Sequence, residues 1–61
     1  MKFEVIIFKN GFETNHSQFF NSLDKACMWL FSNLKTSEYG FIYKHEMGVT
    51  VPVWEMRDLG V

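Results

Sequence analysis

Sixty-one residues, 48% of them hydrophobic, with seven Phe, two Trp, two Tyr and a single cysteine, describe one small domain. A domain of this size buries only about 60% of the surface its unfolded chain exposes, so dense packing or self-association has to offset an ordering cost of roughly 1.5 kcal/mol per residue. The lone Cys27 excludes an intramolecular disulfide, no second Cys or close His pair offers a zinc site, and a net charge of −1 spread over single residues excludes a basic patch.

Residues Met1–Phe8 carry a lysine and an apolar run, but Glu4 interrupts it and Lys9 ends it, short of a secretory signal. No stretch approaches the roughly 20 apolar residues of a membrane span. The expectation is a soluble, cytoplasmic protein that needs neither metal nor cofactor.

In chain order the pattern reads as hairpin, helix, hairpin. Val5, Ile6, Ile7 and Phe8 form a continuous apolar run, as in a strand interior to its sheet. Asn10-Gly11 tolerates the positive φ angles of a two-residue hairpin turn. The returning stretch Phe12–Phe20 is polar at Glu13 through Gln18 and suits an exposed edge strand, although Phe19 and Phe20 also permit a longer helix capped near Asn15 or Ser17.

Ser22 is placed to cap a helix running from Leu23 to about Lys35, with Asp24 in the first turn where the helix dipole favours negative charge. Leu23, Ala26, Cys27, Leu30, Phe31 and Leu34 recur every three or four residues and predict its core stripe. Met28 and Trp29 flank that stripe, making Trp29 either a rim residue or a partner anchor.

The second hairpin spans about Glu38–Met56 and reverses near Met47-Gly48. A two-residue turn sets Glu46 against Val49, Lys44 against Val51 and Ile42 against Val53 on one face, and gathers Tyr39, Phe41, Tyr43, Thr50, Pro52, Trp54 and Met56 on the other. One helix covers only one of these faces, and a bulge, for instance at Gly48, would exchange them on its strand. Pro52 lacks a backbone donor and assigns the last strand to an edge. Residues 57–61 have no periodicity and read as a frayed end. The fold class is therefore α+β, a single domain of order β-β-α-β-β over 1–61, with a mostly antiparallel sheet and one amphipathic helix on one face.

No catalytic constellation emerges. Cys27 lies on the apolar stripe, His16 and His45 read as ordinary exposed or half-buried histidines, and Glu38, Glu46, Glu55 and Asp58 resemble a solvated rim beside Lys44 and Arg57. Tyr39-Gly40-Phe41-Ile42 resembles the centre of the RNP1 strand of RNA-recognition motifs, a likeness that implies rings stacking on exposed bases. It covers four residues. Ser37 and Glu38 stand where that family has a basic residue and glycine, Lys44 stands where it has another aromatic, and the chain is too short for its two-helix layout.

The aromatic excess points to a non-enzymatic protein-interaction module, binding a larger protein or a second copy through Tyr39, Phe41, Tyr43, Trp54, Met56 and Trp29, since rigid aromatics are frequent binding anchors. Compact chains without chemistry are often regulators or inhibitors, phage-encoded ones included, though this is analogy. The alternative is single-stranded nucleic-acid binding by the same face, aided by Lys2, Lys9, Lys44 and Arg57, and the scattered charge disfavours it.

Overall fold

A computed structural model describes residues 1–14 and 17–57. The expectations for Asn15, His16, Asp58 and the tail 58–61 fall outside them. The elements are β1 (Lys2–Lys9), β2 (Phe12–Glu13), β3 (Gln18–Phe20), α1 (Leu23–Asn33), β4 (Glu38–Glu46) and β5 (Val49–Arg57), an α+β arrangement of the predicted order. The sheet is antiparallel in the order β2-β1-β4-β5, and β3 joins β2 on the same edge of β1. Arg57 belongs to β5, so the last strand extends one residue into the stretch expected to fray.

Strand β1 is interior, as its unbroken apolar run predicts, and β5 is an edge, as Pro52 requires. Both hairpins turn on two residues with positive φ, Asn10 (53°) and Gly11 (82°), then Met47 (52°) and Gly48 (78°). This mirror-image turn matches the twist of the flanking strands. The returning edge strand is interrupted: while β1 advances from Val5 to Phe8, its partner moves back from Gln18 to Glu13, two residues further. Two extra residues preserve the alternation of faces, so Phe20, opposite Phe3, still packs against the core.

Helix α1 starts as predicted. The Ser22 hydroxyl accepts from the Lys25 N–H at 3.1 Å, and Asp24 occupies the first turn. It stops at Asn33, two residues early, because Leu34 turns to an extended conformation, and the 34–38 connection closes on Glu38. The Glu38 carboxylate accepts from the Lys35 N–H at 2.7 Å, while its own N–H donates to the Lys35 carbonyl at 3.0 Å. At 8% exposure, Glu38 is a buried loop clamp rather than part of a solvated rim.

The core comprises Phe3, Val5 and Ile7 from β1, Ala26 and Leu30 from α1, and Ile42 from β4. Each fully buried aliphatic side chain contributes about 1.5–3 kcal/mol relative to exposure. Gly40 sits directly beneath Leu30, and a Cβ there would land on the Leu30 isobutyl group. That close seat centres the helix on Ala26 and Leu30, turning it roughly 50° toward Trp29 at 100° per residue. Trp29 thereby joins the packed flank, and Phe31, predicted to be core, is 75% exposed.

The Met47-Gly48 turn holds the predicted pairs Glu46–Val49 and Lys44–Val51, but the register shifts by one between Tyr43–Pro52 and Ile42–Trp54. Val53 is the extra residue. This bulge, five residues beyond the glycine where one was considered, overturns the expected partition: Trp54 and Met56 pair with Ile42 and Gly40 on the helix side, while Tyr39, Phe41 and Tyr43 remain on the opposite face.

Two substitutions test these seats by chemical denaturation. Met47→Asn is expected to stabilise the fold by about 0.5–1 kcal/mol, because Asn tolerates the left-handed conformation and the Met side chain, 96% exposed, packs on little. Gly40→Ala should destabilise it by about 1–3 kcal/mol by forcing Leu30 from its seat.

Candidate interaction surfaces

Strand alternation puts Tyr39, Phe41 and Tyr43 of β4 on the face away from α1, and register brings Phe8 of β1 opposite Tyr39. Phe8 stacks on Tyr39 at 5.5 Å between centroids, with an interplanar angle of 9°. Phe41 meets Phe8 edge-on at 5.6 Å and Tyr39 at 5.7 Å, and Tyr43 follows Phe41 at 6.2 Å. Pairs of this kind are worth about 0.5–1.5 kcal/mol beyond area burial. The four rings make a continuous, half-buried row that no described element covers. Sequence reasoning named three of them. Phe8 was absorbed into the apolar run of β1, and only the β1–β4 register reveals its place.

The charged groups beside the row are chiefly carboxylates. Register sets Glu13 against Phe8, Glu55 against Phe41 and Glu4 against Tyr43, with Arg57 against Tyr39. At the far end the Lys2 ammonium lies 5.9 Å from the centre of the Phe19 ring.

Trp54 and Met56 occupy a second place. Beside the exposed flank of α1, an apolar groove of 320 Å³ is lined by Cys27, Met28, Phe31, Ser32 and Met56. Trp54 is 46% exposed on the same side of β5. Trp29 belongs to a third. Its ring packs on Phe20 at 5.9 Å and walls an 80 Å³ cavity with Ile7, Asn33, Lys35 and Glu38. The six sequence-derived anchors thus divide between two sides of the sheet instead of sharing one surface.

One polar constellation was not foreseen. The His45 Nε2 lies 2.8 Å from a Glu4 carboxylate oxygen, its Nδ1 lies 3.0 Å from the Thr50 hydroxyl, and the Ser17 hydroxyl donates to Glu4 at 3.0 Å. Hydroxyl, imidazole and carboxylate follow the order of a hydrolase relay, yet neither cavity above adjoins them. The cluster ties β1, β4, β5 and the residue just before β3 together at one end of the aromatic face. Sequence spacing gave no hint of it, since Glu4 and His45 are 41 residues apart.

Burial pushes the Cys27 thiol above its ordinary range, and the nearby Asp24 carboxylate adds to the shift, so little of it is the nucleophilic thiolate at neutral pH. Among the described residues no group of three or more His, Cys, Asp or Glu could hold a metal, and no helix is long and apolar enough to cross a membrane.

No protein-family model matches the chain, and neither a curated protein nor a solved structure shows significant similarity to it.

The Thr50–His45–Glu4 cluster is expected to act as a structural tie. Hydrolysis of 4-nitrophenyl acetate should proceed at the same rate for the native chain and Thr50→Val; a loss with Thr50→Val would instead make the hydroxyl a nucleophile.

Proposed function

We propose that this chain is a non-enzymatic protein-interaction module, a small regulator or inhibitor that binds a larger protein through the aromatic sheet face. One observation carries the reading: Phe8, Tyr39, Phe41 and Tyr43 form a row of contacting rings on the side of the sheet away from the only described helix. Their positions are set by the strands, so little conformational entropy is lost when a partner covers them, and two tyrosine hydroxyls add polar handles. Single-stranded nucleic acid would also stack on such rings, but the three carboxylates Glu4, Glu13 and Glu55 along the row outnumber Arg57 opposite Tyr39 and would oppose a phosphate backbone.

Tagged full-length chain should capture a partner from extract of its native cell, and Phe41→Ala or Tyr43→Ala, each verified as folded by circular dichroism, should weaken that capture by about 2 kcal/mol or more. Retention of full binding by both variants would defeat the proposal. A fluorescent single-stranded oligonucleotide is expected not to bind at low salt; binding that falls steeply with added salt would shift the function to nucleic acid.

A further inference from the structure

The helix side of the sheet is only partly covered. Four strands about 4.8 Å apart span roughly 14 Å between outer axes, and a helix with its side chains is about 10 Å wide. Helix α1 rests mainly on β1, β3 and β4. Strand β5 therefore presents Val49, Val51 and Trp54 beside a helix flank that carries Met28, 71% exposed, and Phe31. The groove beside that flank is lined by Cys27, Met28, Phe31 and Ser32 of α1 and by Met56 of β5.

We infer that this groove is the interface of a two-fold homodimer, in which each copy lays the Met28–Phe31 flank of α1 over β5 of the other. Three features identify the occupant as a second copy. First, projecting side chains and the floor they would cover lie next to each other on one chain, the self-complementary layout that an isologous two-fold contact needs. Second, Met28, Phe31, Val49, Val51 and Trp54 expose on the order of 500 Å² per copy, or about 1,000 Å² in a pair, which reaches the lower bound for a specific interface. Third, Pro52 and the bulge at Val53 interrupt the β5 edge, so the second copy packs on the face of the strand rather than extending the sheet.

The two helices would then lie side by side between the facing sheets, completing the layer that one helix leaves unfinished. The contact is on the opposite side from Phe8, Tyr39, Phe41 and Tyr43, so both aromatic rows remain outward. The dimer would present two partner sites and gain avidity for a target that offers two epitopes.

Sedimentation equilibrium of the full chain across about 1 μM to 1 mM, a range spanning the common affinities of small dimers, tests the inference. A mass approaching twice 7.2 kDa is expected, with dissociation constants raised at least about tenfold by Phe31→Lys and by Met28→Lys. Both side chains are exposed on the helix, so the variants should stay folded, as circular dichroism would show. A native chain that stays monomeric throughout, or a dimer that survives both folded variants, overturns the inference. So does a dimer broken by Tyr43→Ala and not by Phe31→Lys, which would place self-association on the aromatic face. Partner capture lost only in Phe41→Ala, with the dimer intact, separates the two surfaces.

Discussion

The seat of Leu30 above Gly40 governs the arrangement. A strand position without a side chain lets the helix approach the sheet closely, and the Leu30 side chain fills the hollow between Ile7 and Ile42. In a chain this small, such close packing carries much of the stability. It also sets how α1 is turned about its axis: Ala26 and Leu30 face inward, Trp29 closes one flank against Phe20, and Phe31 swings into the open. Much of the exposed apolar surface beside β5 is a consequence of that turn.

A second constraint is the single extra residue in β5. A bulge shifts pairing by one, and since side chains alternate with a period of two, every side chain beyond it changes face. Without Val53 as the extra residue, Trp54 and Met56 would stand opposite Phe41 and Tyr39. With it, they line the helix side, and the rings of the second hairpin serve two surfaces. Pro52, adjacent to the bulge, keeps the same strand from being extended by another chain.

The two apolar surfaces differ in character. Rings on the open face already contact one another and are half-buried, so they form a firm platform with a modest area left to a partner. Side chains at the groove project singly, and only a complementary shape would bury them. The polar tie of Glu4, His45 and Thr50 holds the platform at one end, where strands from both halves of the chain meet.

Local chemistry was legible. Asn10-Gly11 and Met47-Gly48 specified their turns through the φ angles glycine permits, Ser22 and Asp24 marked the helix start, Pro52 marked an edge, and the run Val5–Phe8 marked a central strand. Each signal depends on a residue and its immediate neighbours, so the amino-acid sequence alone determined the α+β class and the order of elements. Tertiary structure decided the site. Which stripe of α1 faced inward depended on the depth of the Gly40 hollow, which face carried Trp54 depended on where β5 bulged, and the company of Phe8 depended on its pairing with β4. These are distances between segments remote in the chain, and a periodicity read along one segment carries no information about how far it will turn or slip against another.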